Sequence, residues 1–244
     1  MEKRVVLVKY HDNFADNFTS IAYGKILENN TNTKYYFENI TQKREDFEQK
    51  MSCFDMDYHY ISSNHANALT QKAYSTNSII LDRKQITRKK IKKSGIINIQ
   101  KFIPSDLDYL DKNITNSFRF KSLNFIKSYD ILEEIKQSNS IGLYISNLNE
   151  IKSDENLIFI QKATKRLNKY LKHPKLYIFL REKNDIKNDL DLDVDYEFLS
   201  LKDWKEEFHF LTSCRHKIIL NTKESYSEGF WACILNAHEF NYVV

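Results

Sequence analysis

Only 4 Gly and 2 Pro occur among the 244 residues of this chain. Few glycines leave few tight backbone cradles for phosphate, and no P-loop, Gly-rich dinucleotide fingerprint or nucleophile elbow is found. Cysteine is as scarce: Cys53, Cys214 and Cys233 are odd in number and lack short metal-type spacing, which argues against a disulfide framework and a cysteine zinc site. All three are expected to be reduced packing residues, because free cysteine behaves as a small buried hydrophobe. No apolar run approaches the roughly 18 residues of a membrane span, and the opening Met1-Glu-Lys-Arg-Val-Val-Leu-Val8 is too short for a signal-peptide core. The expected location is cytoplasmic. A net charge of +4 is too small to imply nucleic acid by itself, and no such partner is expected.

What is present is ordinary globular material, 41% hydrophobic and 29% charged, long enough for one large or two small α/β domains. The β-branched run from Val5 to Lys9 reads as a buried strand that ends in the polar cluster Tyr10-His-Asp-Asn13. Apolar Phe18, Ile21, Ala22, Ile26 and Leu27 then recur at helical spacing. Residues 34–37 and 78–81 are further strand candidates, and Ser128 reads as the N-cap of a helix over 129–136.

From there the chain alternates regularly. Strands are predicted at 141–145, 176–180 and 218–220, and helices at 153–171, 201–213 and 225–236, with His173-Pro174 ending the first of these. Such a β-α-β-α-β-α series argues for a parallel sheet covered by helices on both faces. A boundary near residue 137 divides the chain into domains 1–137 and 138–244. The chain ends on the apolar Tyr242-Val-Val244, which predicts a longer or partnered protein.

Four stretches carry possible chemistry. Asp189-Leu-Asp-Leu-Asp-Val-Asp195 has the Asp-x-Asp pairs that hold a divalent cation between phosphates, or is a solvated acidic loop. The run Arg88-Lys-Lys-Ile-Lys-Lys93 is either a solvated turn or a peripheral contact with an anionic membrane face. None of the seven His is spaced i, i+4 from another, so a helical metal pair is not indicated, and His11 beside Asp12 is the one acid/base candidate. The loop Asn221-Thr-Lys-Glu-Ser-Tyr-Ser-Glu228 offers hydroxyls, an amide and Lys223 ahead of a helix. It suits a diphosphate held without metal, or it merely caps the helix through Ser225 or Ser227.

The segment Cys214-Arg-His-Lys-Ile-Ile-Leu-Asn221-Thr, with Ser225, Ile234-Leu-Asn236 and Val243-Val244, resembles the C-terminal signature of bacterial α-1,2-fucosyltransferases. That signature reads C-K-H-x-I-I-A-N-S-x-x-S-W-W, then L-N and a V-I-A-P strand. Ala22-Tyr-Gly-Lys-Ile-Leu27 is similar to the helix after the family's G-G-L-G-N-Q loop, and Tyr177-Ile-Phe179 falls on its Y-I-F-S-D-D strand. The family's H-x-R-R-x-D motif falls on Tyr144-Ile-Ser-Asn-Leu-Asn149, so the arginines expected to neutralise a GDP diphosphate are here Ser146 and Asn147, and its acid is Asn149. Arg181, Arg215 and Lys223 are the cations available in their place. Ser225-Tyr-Ser-Glu-Gly-Phe230 is also similar to the S-E-G-F-G segment of retaining glycosyltransferases of the glycogen-synthase type, whose second glutamate is Asn236 here.

Both resemblances imply two Rossmann-like domains of the GT-B glycosyltransferase type, with the nucleotide-sugar in the C-terminal one. The first implies an inverting, metal-independent transfer of fucose or a related sugar to a surface glycan, with no cofactor beyond the donor. Its general base would come from His11, Asp12, Asp16 or Glu150, and its donor site from Asn221, Thr222, Lys223 and Ser225. Glu228 would touch the sugar under the retaining alternative. A degenerate transferase fold serving as a glycan-binding or assembly subunit is the non-enzymatic alternative.

Overall fold

The computed structural model describes residues 5–8, 18, 21–22, 24–25, 34–39, 48–49, 51–55, 60–62, 64–65, 67–68, 71, 80–81, 96–99, 118–145, 151, 154–180, 190–220 and 228–235. The chain forms two compact units, Met1–Lys121 and Ser122–Val244. No helix among the described residues is long and apolar enough to cross a membrane.

The first unit carries a five-stranded sheet of β1 (Val5–Val8), β2 (Lys34–Asn39), β3 (Tyr60–Ser62), β4 (Ile80–Leu81) and β5 (Ile96–Ile99). The order is β3-β2-β1-β5-β4 with every neighbouring pair parallel. The chain leaves β1 at the point where strand order reverses, the usual ligand crevice of such sheets. The helical residues Phe18, Ile21 and Ala22 are fully buried, as their spacing predicts. Phe18 packs against Phe54 and Phe118 at ring-centroid distances of 5.1 and 4.4 Å. Segment 118–121 returns to this cluster by an antiparallel bridge between Phe54 and Phe120, with Lys121 N donating to the Cys53 carbonyl at 2.8 Å.

The second unit holds α1 (Tyr129–Gln137), β6 (Asn139–Ile145), α2 (Asp154–Tyr170), β7 (Pro174–Leu180), β8 (Asp195–Leu199), α3 (Trp204–Ser213), β9 (His216–Ile218) and α4 (Glu228–Ile234). Its sheet is parallel in the order β8-β7-β6-β9. Pleat alternation separates the faces. Ile141, Leu143 and Ile145 of β6 join Leu176, Ile178 and Leu180 of β7 and Ile160 and Leu167 of α2 in one core. Gly142 of β6 faces the other way, beneath Leu211 and Cys214 of the α3 segment. Each such fully buried aliphatic side chain contributes about 1.5–3 kcal/mol, so this core dominates the unit.

Three sequence expectations need correction. The boundary falls at 121/122, not near 137, because α1 buries Leu132 and Ile135 in the second unit and its Glu134 accepts from Tyr177 of β7. An unforeseen edge strand, β8, follows the acidic run. Third, β9 spans His216–Ile218 rather than 218–220, and α3 begins three residues later than expected, at Trp204. Pro174 opens β7, where a missing N–H is tolerated, after His173 turns the chain at φ 50°.

Ser128 is the N-cap of α1, as expected, but its side chain makes no capping bond. The buried carboxylate of Glu206 on α3 instead anchors the residues leading into the helix, with Oε1 accepting from Lys127 N and Ser128 N at 2.7 Å each. Ser128→Ala is therefore expected to cost under about 0.5 kcal/mol, below the ~1 kcal/mol of an ordinary cap. Glu206→Leu should cost about 2 kcal/mol, since two charge-assisted bonds vanish. Urea midpoints of the two variants check this, and equal losses would refute the assignment.

Candidate functional site

In the second sheet β6 lies between β7 and β9, and strand order reverses between β6 and β9. The pairing Leu143↔Ile218 sets the carboxyl ends of β6 and β9 side by side. A ligand crevice is expected outside that edge. Tyr144 lies there, 8% exposed, one residue before the end of β6, and the buried Ile219 and Leu220 lead out beyond β9. Glu228 opens α4 with its side chain largely buried, ahead of the buried Trp231, Ala232 and Cys233.

Of the residues singled out in the sequence, Tyr144 and Glu228 thus fall on elements that flank this edge. His11, Asp12, Asp16, Ser146, Asn147, Asn149, Glu150, Arg181, Asn221, Thr222, Lys223, Ser225 and the Arg88–Lys93 run lie outside the described residues. In the sequence residues 146–150 follow β6 and residues 221–227 follow β9, two strands whose carboxyl ends are adjacent.

Two candidates lie on the opposite edge. Arg215 precedes β9, with its Nη1 and Nη2 donating to Asn139 Oδ1 at 3.5 Å and to the Lys136 carbonyl at 3.3 Å, and its backbone N–H donating to Ser140 Oγ at 3.1 Å. It ties the end of α1 to the start of β6, on a level with Ser140 and so five residues, roughly 17 Å, short of the end of β6 at about 3.3 Å per strand residue. Its guanidinium is thus committed to the amino edge of the sheet. The acidic run precedes β8 on the same amino edge, where Gln161 and Asn168 of α2 donate to the Asp191 and Asp193 carbonyls at 2.9 Å each. Among the described residues no three His, Cys, Asp or Glu side chains are grouped to hold a metal ion.

The sequence reading passed over Lys217. It lies in the middle of β9 with no exposed surface, and its Nζ donates to the Cys214 carbonyl at 2.7 Å and the Thr212 carbonyl at 3.3 Å. Burial pushes its pKa down to about 8, against the opposing pull of the Cys214 and Cys233 sulfurs. The same burial pushes the Cys214 thiol up to about 12 and Cys233 to about 11. All three cysteines are buried, as thiols rather than disulfides. The available signal was a lysine set directly against Ile218-Ile219-Leu220 with no acidic residue beside it. On α3, burial also pushes the His209 imidazole down to about 4, with a smaller contribution from Lys136.

No protein-family model matches the chain, and no curated protein matches it in sequence. Solved structures do match in shape. The NodZ α-1,6-fucosyltransferase co-crystallised with GDP aligns over 96% of this chain and 93% of its own, at TM-score 0.55 and 13% identity. Fucosyltransferase NodZ from Bradyrhizobium aligns over 95% and 92%, at TM-score 0.52 and 13% identity. A mutant of Arabidopsis thaliana FUT1 in complex with GDP aligns over 97% and 69%, at TM-score 0.52 and 10% identity. Identities this low speak for the fold alone: a parallel-sheet α/β architecture of the GT-B type, as in these fucosyltransferases.

Proposed function

We propose that the chain is an inverting, metal-independent glycosyltransferase that moves fucose or a related sugar from a nucleotide-sugar, with GDP as the favoured nucleotide, to a surface glycan of lipopolysaccharide or capsule type. The observation that carries this reading is the adjacency of the carboxyl ends of β6 and β9, from which the two motif-bearing loops depart. Support comes from the GDP held by two of the similar structures.

In the proposed step an acceptor hydroxyl oxygen attacks the sugar C1 from the face opposite the diphosphate. The C1–O bond breaks with its electron pair leaving on the nucleotide, and the hydroxyl proton passes to a base drawn from His11, Asp12, Asp16 or Glu150. Hydrogen-bond donors of Asn221, Thr222, Lys223 and Ser225 hold the departing charge. With Ser146 and Asn147 in place of arginines, no bidentate guanidinium is available at those positions, so the donor should be held more weakly than an arginine pair would hold it.

Thermal unfolding with GDP, UDP and dTDP tests the reading. Stabilisation by one nucleotide alone is expected, amounting to about 2.7 kcal/mol at a hundred times Kd. No response to any of the three leaves the non-catalytic glycan-binding alternative, for which the missing arginines and the remote Arg215 are the specific support. Anomeric configuration of the product, followed by NMR, separates inversion from the retaining alternative that would use Glu228.

A further inference from the structure

We propose that the outer face of α2 is a docking surface for an anionic lipid bilayer. Successive α-helical residues turn by about 100°, which places Ile158, Lys162, Lys165, Arg166 and Lys169 within one arc. The buried Ile160, Thr164 and Leu167 lie on the opposite side, against the sheet. All five arc residues are exposed, and Lys162, Lys165 and Lys169 form no ion pair among the described residues. From residue 156 to residue 173 the sequence contains no carboxylate. The helix's own acids are confined to its first turn, where Glu155 stands on the same arc just ahead of Ile158 and Asp154 borders it; the acidic loop of Asp191 and Asp193 meets α2 through Gln161 and Asn168, about a quarter turn away.

The stripe is not purely cationic. Ile158, at its first turn, is 48% exposed, and Tyr170, beside its last turn, is 75% exposed. Between Ile158 and Tyr170 the helix rises about 18 Å. An interfacial surface accepts all of these groups together: lysine stems lie along the headgroups with their ammonium groups on lipid phosphates, while the aliphatic and phenolic tips enter the acyl boundary. A nucleic-acid backbone would neutralise the cations but offers nothing to an isolated isoleucine. This inference is independent of the transferase reading and concerns a different part of the chain from the basic run at 88–93.

The test is co-sedimentation of the full chain with vesicles of phosphatidylglycerol and phosphatidylcholine, against vesicles of phosphatidylcholine alone. Binding to the anionic vesicles is expected at 0.1 M salt, with a steep loss at 0.5 M, where screening shortens to a few ångströms. Each cation near the surface is worth about fivefold in partition, so Lys162→Gln with Lys165→Gln and Lys169→Gln should lose about a hundredfold. Ile158→Ser should lose severalfold, and that loss should persist at high salt. Thermal melts of the variants matching the parent show that each is folded. Failure to bind anionic vesicles, or binding that survives the triple change and disappears only when Arg88, Lys89, Lys90, Lys92 and Lys93 become glutamine, overturns the proposal. Retention on heparin without retention by vesicles overturns it also, and makes the face a soluble polyanion site.

Discussion

Gly142→Ala is expected to destabilise the second unit by about 1–3 kcal/mol, the usual cost of overpacking a tight core. In an unstrained strand the same change would help slightly, because alanine restricts the unfolded chain more than glycine does. Space decides the sign here. A Cβ at residue 142 would stand 2.9 Å from Leu211 Cδ1, 3.1 Å from Cys214 Sγ and 3.2 Å from Cys214 Cβ. The Leu211 tip can swing aside. Cys214 cannot, for it terminates α3, where its N–H donates to the Phe210 carbonyl at 3.1 Å and its own carbonyl accepts from Lys217. Relief must therefore come from moving α3 off β6, which loosens the face that carries Tyr177 and Phe179. A urea midpoint that falls at constant slope confirms the effect. A neutral or stabilised variant would mean that α3 yields without cost.

The central strands and the helix between them were legible because their signals agree. In β6, α2 and β7 the apolar spacing, the His173-Pro174 stop and the flanking polar loops all indicate one register. Elements at the margin were not, for a physical reason in each case. Strand β8 is an edge, only partly buried over Asp195-Tyr-Glu197, so its polar letters continue the acidic run without a break. The first residues of β9 are His216 and Lys217, polar letters in a wholly buried strand, so its start was read two residues late. The anchor of the residues entering α1 is Glu206, 78 residues beyond Ser128, and no local pattern can announce a partner that distant. For the candidate site, the sequence located the strand ends and topology made them neighbours, whereas the side chains of both loops lie outside the described residues. Arg215 illustrates the limit. One residue ahead of a strand it looked available for a phosphate, yet a parallel sheet sends that position to the wrong edge.

Replacing Lys217 by methionine is expected to change the pH dependence of stability by about 3 kcal/mol. The folded-state pKa is near 8 and the unfolded value 10.5. Below pH 8 both states carry the proton, and the folded protein bears the whole cost of a buried ammonium. Between those values the unfolded chain binds more protons than the folded one, so stability rises with pH, and above 10.5 the cost has vanished. The parent protein blurs this rise. Its Cys214 and Cys233 thiols hold their protons to about 12 and 11 against 9.0 when unfolded, which lowers stability as pH climbs past 9. The difference between parent and variant removes most of that overlap. At pH 7 the methionine variant should be the more stable by roughly 1–2 kcal/mol, because the two carbonyl bonds of Lys217 are lost while the buried charge is relieved. By pH 10.5 that advantage should be gone, and a difference flat across pH would refute the buried charge. One of those bonds holds the carbonyl of Cys214, the residue that crowds Gly142. With that anchor removed, α3 can retreat more easily from an added Cβ. Gly142→Ala combined with Lys217→Met should therefore be non-additive by at least about 0.5 kcal/mol, in the direction of relief.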